Sequence, residues 1–250
     1  MSVKTALLTL TLVLAAWAQE AKKDPEEEKK KEEEAKAKLA EFRKELKTCK
    51  MDKDVERALE GLGALQHPRV LAELKGWLGK GSADVAVAAA EQIGKYKKDK
   101  DAAEALTGAA GARKEKDAIV KFLRYAGDVG CKPTTLKLLA YFRNKDLDVA
   151  KEAIDSCAKL KSRDAMEPLI SMARELEGVK EEKDTGGLGG GGILGGGGVT
   201  GGVNEPLARK KALLSPAITA LEQISGQKFS TSKEADQWWR ANRSTFKESE

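Results

Sequence analysis

Four aspartates recur at nearly constant spacing along the middle of the chain: Asp54, Asp84, Asp117 and Asp148, separated by 30, 33 and 31 residues. Each opens the same apolar pattern. Val85, Ala89, Ile93 and Tyr96 advance by 4, 4 and 3, as do Ala118, Phe122, Ala126 and Val129, and Val149, Ala153, Cys157 and Leu160. The first copy is one residue shorter, with Val55, Ala58 or Leu59, Leu62 and Leu65. Steps of three and four trace one face of a helix. An aspartate at the start of a helix accepts hydrogen bonds from unpaired backbone N–H groups and suits the positive helix end. Asp54, Asp84, Asp117 and Asp148 are therefore predicted N-caps. Ser215, standing before Pro216, Ala217, Ala220 and Ile224, is predicted as the fifth.

A second helix precedes most of these. Pro68, Leu71, Leu74 and Trp77 step by three, and so do Pro133, Leu136, Leu139 and Phe142. Proline is tolerated near a helix start, where its missing N–H has no bond to lose. Ala103, Leu106 and Ala109 form a weaker copy, and Met166, Leu169, Ala173 and Leu176 open a further unit after Asp164. Two amphipathic helices per period of about 32 residues define a solenoid, in which stacked hairpins bury the stripe that no single hairpin can bury alone. Aromatics make up only 5% of the chain, and strand-favouring residues are sparse, which weighs against a sandwich or barrel. The predicted fold is all-α.

A proline early in helix A, a short turn, then Asp-Val and an alanine-rich helix B resemble HEAT-type repeats of the ARM/HEAT-like class. The resemblance covers roughly residues 54–226, and its units are shorter than the ~40 residues typical of such repeats. The arginine that usually follows the aspartate has a counterpart only at Arg57. The tail, Ser225-Gly226-Gln227-Lys228-Phe229 followed by Trp238-Trp239, is similar to the closing segment of exported bacterial HEAT-like proteins. The resemblance implies a right-handed α–α superhelix of about five helical hairpins.

The flanks give the remaining organisation. Residues 1–18 read as a signal peptide, with Lys4, an apolar run from Thr5 to Ala16 and a small-x-small site at Ala16-Trp17-Ala18. Export to the periplasm or outside the cell is expected, with no transmembrane span after cleavage. Residues 19–48 form a charged segment whose Glu and Lys triplets support a helix through i,i+4 pairs. Pro25 suits its first turn, and its apolar anchors are Leu39, Phe42 and Leu46. The repeat domain occupies 49–226, with a glycine-rich run at 185–203 read as a loop inserted in the last unit. Residues 227–250 are expected to cap the open end. Neighbouring helix positions diverge by about 100°, so Trp238 and Trp239 are expected on different faces, with at least one packed inward.

Chemistry is sparse. Removing the leader takes away Lys4 alone and leaves 44 basic groups against 40 acidic, an excess too small to argue for nucleic acid, and none is expected. The one histidine, His67, lies in the turn Gln66-His67-Pro68 and is expected to face solvent. Cys49, Cys131 and Cys157 lack the paired spacing of a zinc site. An oxidising compartment permits one disulfide among them; Cys157 falls on a core face, and a Cys49–Cys131 bridge is permitted without being argued by the sequence. No catalytic residues, metal ligands or cofactor are assigned. The expectation is a non-catalytic scaffold that binds a protein or peptide on the concave face lined by B helices, at Arg57, Glu60, Lys95, Lys121, Arg124, Lys151 and Lys159. The alternatives are a lyase or isomerase, implied by likeness to phycobilisome-lyase-like HEAT proteins, and a binder of polyanionic polymers.

Overall fold

The computed structural model of the protein describes residues 25–180 and 205–248. The leader at 1–18 and the glycine-rich run at 185–203 lie outside the described residues. Helices α1 (Pro25–Leu46), α2 (Asp52–Gly63), α3 (Pro68–Trp77), α4 (Ala83–Ile93), α5 (Lys100–Ala112) and α6 (Lys116–Val129) come first. A 3-10 turn at Lys132–Thr134 leads into α7 (Thr135–Leu139), followed by α8 (Leu147–Leu160). A second 3-10 turn, Arg163–Ala165, leads into α9 (Met166–Glu177), and α10 (Glu205–Ser225) and α11 (Ser232–Asn242) complete the chain. No strand occurs among the described residues, so the protein is all-α.

Packing follows the repeat. The even-numbered helices α2, α4, α6, α8 and α10 lie each against the next, and each also packs on the odd-numbered helix before it. The stepped apolar residues form the seam between them: Val85, Ala89, Ile93 and Tyr96, then Ala118, Phe122, Ala126 and Val129, then Val149, Ala153, Cys157 and Leu160, are all buried. Hydrogen bonds carry the same period. Tyr96 Oη donates to Leu65 O at 3.3 Å, Ser156 Oγ to Leu123 O at 2.8 Å and Tyr141 Oη to Thr107 O at 3.3 Å, linking residues 31, 33 and 34 apart. The charged α1 packs on α2 and α3, burying Ala35 and Phe42, so it serves as the first odd-numbered helix of the stack.

Several expectations about helix ends are corrected. Asp84, Asp117 and Asp148 are second residues of their helices, not N-caps. Ser82 takes the cap of α4, its Oγ accepting from Val85 N at 3.4 Å; Asp146 takes that of α8, its Oδ1 accepting from Asp148 N at 3.0 Å and Val149 N at 3.3 Å. A cap needs an extended backbone two or three residues before the N–H it receives, and the upstream residue has it, at φ −68° for Ser82 and −76° for Asp146. The aspartates then act through their charge in the first turn. Asp54 is the third residue of α2, and its carboxylate reaches back to the backbone N–H of Lys50 and Met51, each at 3.3 Å. Ser215 caps nothing: α10 runs through it and through Pro216, because Leu213, one turn earlier than Ala217, is already buried in the core.

The segment around Pro133 also differs. Leu136, expected inward, is 65% exposed, whereas Thr134, Thr135 and Leu138 are buried. Pro133 sits in a 3-10 turn and α7 spans only five residues. The inward face is therefore set by 134, 135 and 138, which leaves 136 on the opposite side. His67 is not a free turn residue. It caps α3, its Nδ1 accepting from Arg69 N at 3.2 Å, and its Nε2 lies 3.4 Å from Glu32 Oε2 on α1.

Candidate functional site

The seven partner-binding candidates all belong to the even-numbered layer: Arg57 and Glu60 on α2, Lys95 just past α4, Lys121 and Arg124 on α6, Lys151 and Lys159 on α8. All are exposed, but only three converge. Arg124 clasps Glu152 across the α6–α8 seam, with Nη2 2.7 Å from Oε2 and Nε 3.2 Å from each carboxylate oxygen. Glu152 is 8% exposed, and both its oxygens are taken. Lys159 Nζ reaches Asp128 Oδ1 at 2.7 Å, while Lys97 donates to the backbone carbonyl of the same Asp128 at 2.7 Å. Asp155 lies among Glu152, Lys151, Lys159 and Arg124. Burial first, then the Glu152 charge, push its carboxyl above the usual aspartate range against the pull of the three cations.

These contacts fasten α6 to α8. A carboxylate whose oxygens are both bound by a guanidinium is poorly placed to move a proton, so the cluster is structural and Arg124 and Lys159 are spent on it. Lys95 donates to Gln92 Oε1 at 2.5 Å. Arg57, Glu60, Lys121 and Lys151 make no hydrogen bond or ion pair among the described residues and remain available at the surface.

A more distinctive surface lies at the other end of the stack. Where α7, α9 and the start of α10 meet, a groove of about 430 Å³ has Leu139, Phe142, Met172, Leu176 and Val179 on its walls. Leu139, Met172 and Val179 are only half-buried there. At the rim, Arg143 pairs with Glu175 at 3.0 Å. Arg209 spends its donors on backbone carbonyls, Asn144 O at 2.8 Å and Phe142 O, and so holds the first turns of α10 against the end of α7. The groove combines an apolar bed with a polar edge.

Beyond it, α11 closes the chain against α9. Trp239 is buried and its Nε1 donates to Glu167 Oε1 at 3.2 Å. The rings of Trp238 and Trp239 do not part company as the helical step predicts. They stack at 6.5 Å with 28° between planes, and Phe246 meets both edge-on. Folding Phe246 onto the pair clusters the three rings and shields them in part from water, with Trp239 the most buried.

Among the described residues, no group of three His, Cys, Asp or Glu is arranged to hold a metal ion, and no helix is long and apolar enough to cross a membrane. The three cysteines are free thiols, with Cys131 and Cys157 buried and Cys49 partly so; Cys49 and Cys131 are not bridged. Burial raises the Cys157 thiol far above its ordinary value. A scan against protein-family models and a search of curated proteins returned no match.

Sequence reasoning passed over the glycines of the even-numbered layer. A Cβ on Gly63 would lie 2.5 Å from the Gln92 side chain, one on Gly94 3.1 Å from Tyr125 Cβ, and one on Gly127 2.9 Å from Ser156 Cα. The signal was present: Gly63, Gly94 and Gly127 are spaced by 31 and 33 residues, the period of the aspartates. The apolar groove had no such signal, because its walls come from three separate helices far apart along the chain.

Proposed function

We propose that the protein is a non-catalytic scaffold of HEAT-type helical hairpins, arranged as a right-handed superhelix and exported by its N-terminal leader, which binds a protein or peptide partner. The observation that carries this reading is the groove between α7, α9 and α10, whose apolar walls are half-open to solvent. Exposed apolar area in a concave setting with a polar rim is what a partner's side chains fill. Arg57, Glu60, Lys121 and Lys151 on the even-numbered layer extend the surface available to the same partner. A lyase or isomerase needs polar groups converging on a reacting atom. The rim arginine at 209 is instead turned onto backbone carbonyls, which favours recognition over catalysis.

Selection of peptides displayed on phage against residues 19–250 tests the reading. Peptides should emerge whose binding is lost on Met172→Glu, at the groove, and kept on Gly61→Ala, at an open helix position remote from it. Failure to select any peptide, or selection of peptides indifferent to Met172→Glu, overturns the groove as the site.

A further inference from the structure

Next to the apolar groove, which it meets at Ser171, a trough of about 430 Å³ lies between α9 and α11. Its charged lining is unbalanced. Asp236 Oδ2 is shared by Arg174 Nη2 and Arg240 Nη2, each at 2.9 Å, and its Oδ1 takes Arg240 Nε at 3.2 Å. Two guanidiniums present ten N–H donors, of which this single carboxylate engages three. Arg243 stands 3.8 Å from Glu167, beyond hydrogen-bond reach, and the Glu167 oxygen it faces is the one bound by Trp239 Nε1. Arg163 lies over the Trp239 ring at 5.9 Å and donates to the backbone of Arg243 at 3.1 Å. The carboxylate nearest Arg163, Glu248, is also paired with Lys132 at 3.3 Å. Three guanidiniums, those of Arg174, Arg240 and Arg243, thus line the trough with two carboxylates to answer them, and Arg163 lies over the Trp239 ring beside them. The side chains of Arg174, Arg240 and Arg243 are 56, 71 and 61% exposed, so their spare donors face water.

We propose that the α9–α11 trough binds the carboxylates of an acidic peptide segment of a partner protein. Guanidinium forks match a carboxylate in two parallel hydrogen bonds, and the trough already holds one carboxylate, that of Asp236, by a hydrogen bond from Arg240 Nε and ion pairs to Arg174 and Arg240. Ile170 and Trp239, both nearly buried, form the floor beneath the arginines. The site goes beyond the apolar groove and shares only Ser171 with it, none of the arginines, so it stands or falls separately from that groove.

The probe is hexaglutamate, titrated against the mature chain and followed by calorimetry and tryptophan fluorescence, with hexaglutamine and inorganic pyrophosphate as comparison ligands. Hexaglutamate should bind, hexaglutamine should not, and binding should weaken as salt rises, since the contacts are exposed ion pairs. Arg240→Gln should weaken hexaglutamate by about tenfold, the scale of one lost charge-assisted hydrogen bond. Because that variant also loosens Asp236, Arg243→Gln is the second test: it breaks no hydrogen bond of its own side chain and should still weaken binding several-fold. Lys53→Gln, a comparable exposed charge on α2, should leave affinity unchanged. Equal binding of hexaglutamine, indifference to both arginine variants, or tighter binding of pyrophosphate than of hexaglutamate would overturn the proposal, the last by making the trough a phosphate site.

Discussion

Replacing Gly127 by alanine adds one methyl group where α6 lies against α8. The new Cβ would stand 2.9 Å from Cα, Cβ and Oγ of Ser156. Carbon atoms pack at about 3.5–4.0 Å, so the two helices must part by roughly 0.6–1 Å. One contact is backbone, so no side-chain rotation relieves it. Overpacking of this kind costs about 1–3 kcal/mol. The shift also pulls on the buried hydrogen bond from Ser156 Oγ to Leu123 O, 2.8 Å long, worth about 1 kcal/mol. Against this, alanine is favoured over glycine within a helix by roughly 1 kcal/mol. The net is a loss of about 1–3 kcal/mol, or roughly 3–10 °C in Tm for a chain of this size. Gly61 on α2 supplies the contrast, since nothing lies within 4 Å of its built Cβ. Gly61→Ala keeps only the propensity gain and should stabilise by about 0.5–1 kcal/mol. Urea unfolding of both variants, followed by far-ultraviolet circular dichroism, reads the difference in sign. If Gly127→Ala proves as stable as the wild type, the close approach of α6 and α8 does not constrain the stack and the reasoning fails.

Other consequences are open to simple measurement. Asp155 titrates above its unfolded value, so its ionised form is disfavoured in the fold. Its stabilising, protonated state is fully present below the ordinary aspartate value of about 3.9 and is lost as pH rises through the folded value. Asp155→Asn should therefore gain stability relative to the wild type as pH rises through that window, and a constant difference across pH would exclude this cause. Truncating Arg124, half exposed, to methionine leaves the buried Glu152 without its partner and should cost about 1–3 kcal/mol in chemical denaturation, whereas Lys159→Met, at an exposed pair, should cost well under 1 kcal/mol. Native protein treated with a thiol reagent should label Cys49 first, with Cys131 and Cys157 reacting only on unfolding, and reductant should leave Tm unchanged. Lys161 ends α8 at φ 49°, the left-handed conformation that Gly130 adopts at the end of α6; Lys161→Gly should raise stability by roughly 0.5–1 kcal/mol, and a loss would show that its side chain contributes there.

The amino-acid sequence by itself determined the helical class, the period and the buried stripe. Each depends on local spacing: a residue three or four positions along a helix faces the same way whatever the helix packs against, so Val85, Ile93, Val149 and Cys157 were legible as core from their spacing alone. The helix ends were readable only to within two residues, because Ser82 and Asp146 compete as caps with Asp84 and Asp148, and the winner is set by where the backbone turns extended. What only the tertiary structure decided lies between units. The clasp of Arg124 on Glu152, the meeting of Gly127 with Ser156, the apolar groove of α7, α9 and α10, and the arginines lining the α9–α11 trough each join residues tens of positions apart. Their partners are chosen by how helices settle side by side, and that settling depends on the size and shape of every residue along the seam.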